Sequence, residues 1–244
     1  MSDFDIIIRN GTIIDGRRSP CFIGDVGIKD GCVASITGID GLAKKTAGEY
    51  IDATGLIVAP GFVDLHTHFD AQLFWDPYCT ISGWHGVTSL VIGNCGFGLA
   101  PCKPESRERA MQTLTRNEAV SYPAMEAGIN WTWESFPEYL DAVEATPKGL
   151  NVLSYVGLAP VFMEVMGVEE AKKRRPNDAE MAQMKAIISE AMDAGACGIS
   201  AQHLGEDSIQ RDYDGTPMIT DTMDFRDFSE LASVLKEKGR GAIQ

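Results

Sequence analysis

The densest metal-ligating chemistry in the chain lies in Ala59-Pro-Gly-Phe-Val-Asp-Leu-His-Thr-His-Phe-Asp70. Two of the four histidines, His66 and His68, stand one residue apart there. Along a strand, residues two apart point the same way, so Asp64, His66 and His68 share one face, and Val63, Leu65 and Thr67 the other. Imidazoles spaced about 6.6 Å along a strand can converge on one cation. The alternative is a chance pair of surface or capping histidines; the flanking acids Asp64 and Asp70 favour the cation. Asp70 and Asp76 follow in the loop, either fixing the tautomer of a ligand imidazole or simply solvated.

A second candidate stretch is Gly86-Val-Thr-Ser-Leu-Val-Ile-Gly-Asn-Cys-Gly96. Here an apolar run ends in a loop of small residues carrying Asn94 and Cys95. If the two runs are neighbouring strands, that loop shares a rim with the histidines, and a Cys95 thiolate there suits zinc. A buried structural cysteine is the alternative reading. His203, in Ser200-Ala-Gln-His-Leu-Gly-Glu206, either faces the same site or caps a loop. Lys172-Lys-Arg-Arg175 reads as a solvated basic run.

These residues need a scaffold, and the chain changes rhythm near Ile57. Before it, the sequence is β-rich. Asp5 to Arg9 and Thr12 to Asp15 flank Asn10-Gly11, and Asp25 to Lys29 and Cys32 to Thr37 flank Asp30-Gly31, which predicts two hairpins. Ile51 to Val58 reads as a further strand. After it, strands and helices alternate. Strands are expected at Phe62–His68, Val87–Gly93, Asn151–Val161 and Cys197–His203, and a fifth begins at Ala242-Ile243-Gln244. Helices are expected at Glu105–Asn117, Phe136–Glu144, Asn177–Ala194 and Asp224–Glu237, with Asn177 and Glu180 placed as a capping box. Residues 1–57 and 58–244 therefore read as two domains, the second α/β with a parallel sheet. Five strands alone suit an open doubly wound sheet.

Composition limits the function classes. The 244 residues hold 21 basic and 35 acidic side chains, a net charge of −14. A surface so acidic argues against an electrostatic grip on nucleic acid or anionic membrane. The first residues, Met1-Ser2-Asp3-Phe4-Asp5, lack the basic region of a secretory signal, and six scattered cysteines read as reduced thiols. A cytoplasmic protein is the expectation.

Residues 60–68 and 86–96 together resemble the amidohydrolase superfamily, and within it the N-acyl-D-amino-acid deacylase (D-aminoacylase) branch. The opening Ile6-Ile-Ile-Arg-Asn-Gly-Thr-Ile-Ile-Asp-Gly16 is similar to that superfamily's N-terminal strand pair. The resemblance implies a (β/α)8 TIM barrel beside a small β-sandwich, with His66 and His68 as metal ligands on the first barrel strand and Cys95 as a ligand after the second. It also implies a zinc or other divalent cofactor and a small-molecule amide substrate. In this branch further histidine ligands follow strands five and six, and an aspartate acts as general base after strand eight. Residues 58–244 reach only the start of strand five, so no residue here takes those roles.

A half-barrel alone would leave two sheet edges open. Either the chain is one piece of a split enzyme or it is a truncated product; the expectation is a hetero-oligomer, in which a complementary chain supplies the rest of the barrel and the missing ligands. The expected reaction is metal-dependent hydrolysis of an amide C–N bond of an N-acyl (D-)amino acid or related amide. The alternatives are a non-catalytic scaffold subunit, or a lyase or acyl transferase on the same fold.

Overall fold

The computed structural model describes residues 2–244 and divides into two units, Met1–Gly61 and Phe62–Gln244. The first is a five-stranded sheet of β1 (Phe4–Ile13), β2 (Phe22–Lys29), β3 (Cys32–Gly38), β4 (Ala47–Asp52) and β5 (Ile57–Val58). The order is β3-β2-β1-β4, with β5 also on β1. Asp30 and Gly31, both at positive φ, turn β2 into β3 as expected.

Asn10-Gly11 does something else. The chain runs straight through it as one strand, and the β1–β2 register slips between Ile8 and Gly11. Asn10, at φ 61°, forms a bulge whose N–H donates to the buried Asp25 Oδ1 at 3.1 Å. The same positive-φ preference that makes a hairpin turn also makes a bulge, and the paired strand decides between them. Ile51–Val58 likewise divides into the end of β4 and the separate β5, broken at Gly55 (φ 78°). Because Ile57–Val58 pairs with Thr12–Ile13, the first unit holds this segment and runs on to Gly61.

The second unit follows the strand–helix rhythm. In chain order it contains β6 (Phe62–Asp64), β7 (Val87–Ile92), α1 (Arg107–Glu118), α2 (Tyr122–Gly128), α3 (Phe136–Ala145), β8 (Asn151–Gly157), α4 (Leu158–Met166), α5 (Val168–Ala171), α6 (Asp178–Ala194), β9 (Gly198–Ser200), α7 (Phe225–Lys238) and β10 (Ala242–Ile243). All neighbouring strands are parallel, in the order β10-β9-β8-β7-β6. The spatial order follows the chain order without reversal. A doubly wound sheet reverses at a switch point, whereas a barrel winds one way; the sheet is therefore the first part of a (β/α)8 barrel.

Three expected strands are shorter than their apolar runs. Phe62–His68 ends as a strand at Asp64, and Cys197–His203 is reduced to Gly198–Ser200. Asn151–Val161 ends at Gly157, and its apolar continuation is the buried helix α4. Hydrophobic runs alone do not separate a buried strand from a buried helix. The helical readings are close to the observed bounds. Asn177 and Glu180 form the capping box of α6, whose Met181, Met184, Ile188, Ala191 and Met192 are buried. The core lies between these helices and the sheet, with Leu90 and Ile92 of β7 fully enclosed. No helix of the described residues is long and apolar enough to cross a membrane.

Candidate metal centre

The two histidines lie beyond the end of β6, on a stretch still tied to β7. The Thr67 N–H and hydroxyl both donate to the Val91 carbonyl, at 3.1 and 2.8 Å. Thr67 is thus buried against β7 while the flanking imidazoles point away, which keeps the two-residue alternation although the regular strand has ended.

Cys95 reaches the histidines through a tight turn after β7. Gly93, Cys95 and Gly96 all take positive φ (73°, 57° and 77°). Glycine is required at Gly93, where a Cβ would stand 2.3 Å from the Tyr155 carbonyl oxygen, and a Cβ at Gly96 would crowd Ala201. Asn94 is fully buried, and its Nδ2 donates to the Thr67 and Val91 carbonyls at 2.9 and 2.8 Å. Asp70 works in the opposite direction, accepting the Gly93 N–H on Oδ1 at 2.8 Å. Asn94 and Asp70 thus cross-link the two candidate ligand segments from behind.

The result is a close trio. His66 Nε2 stands 3.1 Å and His68 Nε2 3.7 Å from Cys95 Sγ, and one ligand atom from each lies within 4.8 Å of the others. Zinc–nitrogen and zinc–sulfur bonds of about 2.0 and 2.3 Å put neighbouring tetrahedral donors roughly 3.3–3.6 Å apart. The donor set and its spacing therefore fit a divalent ion with affinity for nitrogen and sulfur. His68 stacks on Phe97 at 5.8 Å between centroids, which fixes its ring plane.

Burial and the neighbouring His66 lower the His68 pKa to about 4, so the imidazole is neutral and has a lone pair to offer. Burial, with Glu118 and Asp70 nearby, pushes the Cys95 thiol up to about 11. Ligation must therefore displace a proton from sulfur. The Gln244 carboxamide accepts the Cys95 N–H at 2.8 Å and turns its NH2 toward His66 Nδ1 at 3.3 Å. That contact is a hydrogen bond when the His66 proton sits on Nε2; ligation through Nε2 calls for the other neutral tautomer, with the proton on Nδ1. Burial also raises Asp70 to about 7.

The remaining candidate, His203, is exposed, and its Nε2 contacts the Met223 carbonyl at 2.8 Å, outside the trio. Three nearby residues are not among the sequence's site candidates. Ser200, at the end of β9, accepts the Gly96 N–H at 3.0 Å and donates to the Gly93 carbonyl. Gln244 follows β10, and Glu118 ends α1, with Oε2 3.6 Å from His68 Nε2. The signal for Ser200 and Gln244 is their place at C-terminal strand ends, where barrel sites are built. Glu118 comes from a helix and carries no such mark.

Residues 49–220 match the profile of the amidohydrolase family. A D-aminoacylase of Alcaligenes xylosoxydans xylosoxydans is 35% identical over 197 residues, 81% of this chain and 37% of the relative. The structure of a D-aminoacylase with a binuclear metal centre superposes with a TM-score of 0.75 at 28% identity, covering 98% of this chain and 44% of the other. That of the N-acyl-D-glutamate deacylase of Bordetella bronchiseptica, complexed with zinc and a phosphonate inhibitor, gives 0.73 at 28% identity, covering 97% and 44%. The chain spans about two-fifths of the length of the curated relatives it matches.

Proposed function

The chain belongs to the amidohydrolase family, and from that premise we propose that it forms the metal-binding first part of a hydrolase that cleaves the amide C–N bond of N-acyl-D-amino acids. The observation that carries this reading is the convergence of His66, His68 and Cys95 within 4.8 Å. The substrate class rests on the likeness to the D-aminoacylase and the N-acyl-D-glutamate deacylase. Zinc is the ion of choice, since two imidazoles and a thiolate match its preference.

When bound, a divalent ion supplies Lewis acidity toward an amide carbonyl and a nearby water. The chain's own residues prepare that position. His68 offers a neutral nitrogen held flat against Phe97, and Cys95 offers sulfur on a turn that Asn94, Ser200 and Asp70 keep rigid. Proton transfer from water to the leaving amine needs a general base. We assign that base, the remaining ligands and the rest of the barrel to polypeptide outside these 244 residues, as the expectation of a complementary chain does. The chain's six free cysteines suit a cytoplasmic setting.

The test is metal analysis of the protein purified together with its remaining polypeptide, and acid release by that species from N-acyl-D-amino acids and their L-enantiomers. Bound divalent metal, lost in Cys95→Ser, with D-selective turnover abolished by chelation, is the expected outcome. Turnover insensitive to chelators, or absent on all N-acyl amino acids, overturns it. The native mass of the active species distinguishes a longer chain from a second one.

A further inference from the structure

Glu118 is placed where a carboxylate has two reasons not to be. It is the last residue of the twelve-residue helix α1, next to Ala119 in the left-handed conformation. The negative end of the helix dipole disfavours an anion there. It is also largely buried, at 18% side-chain exposure, and its Oε1 is enclosed without a hydrogen-bond partner. A desolvated carboxylate needs a compensating positive charge. Among the described residues no lysine or arginine nitrogen lies within 4.0 Å of it; the basic group in reach is His68, whose Nε2 stands 3.6 Å from Oε2.

The same His68 Nε2 stands 3.7 Å from Cys95 Sγ. One nitrogen thus has a thiol sulfur and a carboxylate oxygen at nearly equal distances, each close to the separation of adjacent donors around one ion. Glu118 lies outside the tight trio and meets it on the His68 side.

We propose that Glu118 is a further ligand of this centre, binding the metal through Oε2 beside His68. The proposal rests on the reading of His66, His68 and Cys95 as metal ligands. A cation at that point neutralises the buried carboxylate and offsets the unfavourable helix end, which accounts for both features together. It also adds an anionic ligand to the thiolate, so that this chain contributes four donors rather than three.

The experiment is Co(II) titration of the full metal-free protein, with its remaining polypeptide, against a competing chelator. The readouts are affinity and the visible spectrum, where a thiolate-to-cobalt band reports Cys95 and the d–d bands report donor number. Glu118→Gln keeps the size of the side chain but loses the charge and one acceptor oxygen. The proposal expects it to weaken the Cys95-linked ion about tenfold or more, to alter the d–d bands and to keep the thiolate band. Glu118→Asp should recover part of the affinity. Unchanged affinity and d–d bands in a folded Glu118→Gln overturn the proposal while leaving the trio intact. A wild-type protein with no thiolate band, whose cobalt binding is indifferent to Cys95→Ser, overturns the trio itself.

Discussion

The two units treat their sheets differently. In the second, β7 is enclosed on both sides: Leu90, Val91 and Ile92 are all buried, beneath helices whose stripes contribute Leu114, Met184, Ile188 and Leu231. In the first, β3 exposes Val33 at 61% and Ile36 at 48%, and the unit's described residues include no helix to lie over the sheet. A strand buried on both faces reads as a continuous apolar run, whereas a sheet with one covered face alternates. The apolar positions of the first unit are exposed within that unit. The lesson is that the second unit owns most of its core, and it is there that the rigid rim for the candidate site is built.

The largest effect that can break this comparison is a cavity in β7. Leu90→Ala should cost about 2–5 kcal/mol in urea unfolding, while Ile36→Ala in the first unit should stay within about 0.5 kcal/mol. Equal losses at the two sites would show that the first sheet's face is covered after all. Next comes Asn94→Ala, which leaves the Thr67 carbonyl short of a donor and should cost about 1–3 kcal/mol. It should also loosen metal binding by about 10–100-fold, since Asn94 holds both candidate ligand segments together; unaltered metal affinity would confine it to a packing role.

A smaller effect belongs to the cap of α6. Asn177→Ala should cost about 0.5–2 kcal/mol, read from the shift in thermal midpoint. The same cap carries a pH signature. Hydrogen bonds from Arg174 and from the Asn177 N–H hold the Glu180 carboxyl at about 2, below its ordinary 4.5. A depressed carboxylate pKa favours the folded state above the unfolded pKa. This contribution should be full above pH 4.5 and fade as pH falls toward 2, and Glu180→Gln should remove that dependence. The smallest effect is Ile36→Lys, expected to leave stability nearly unchanged while lowering aggregation and dye binding at the exposed sheet.

Much of this was legible beforehand where one residue type has one physical use. The α6 capping box and the Asp30-Gly31 turn follow from local hydrogen bonding and from φ preference. The His66–His68 pair follows from the two-residue period of extended chain. Where a residue type has two uses, the sequence left the choice open. Asn10-Gly11 suits a bulge as well as a turn, and the pairing of β1 with β2 chose the bulge. The apolar run after Asn151 suits strand or helix, and the close approach of Gly157 to the Phe97 carbonyl marks where one becomes the other.

By itself, then, the sequence determined the candidate donors: two imidazoles on one side of an extended segment, and a thiol on a turn bracketed by Gly93 and Gly96. Those are properties of neighbouring residues, carried by bond geometry and allowed dihedrals. That the thiol and imidazoles meet was decided by the parallel pairing of β6 with β7, and that Glu118 faces them by the path of α1 across the sheet. The partners in those contacts are 27 to 50 positions apart in the chain, and packing between elements, not any local preference, sets the distance between them.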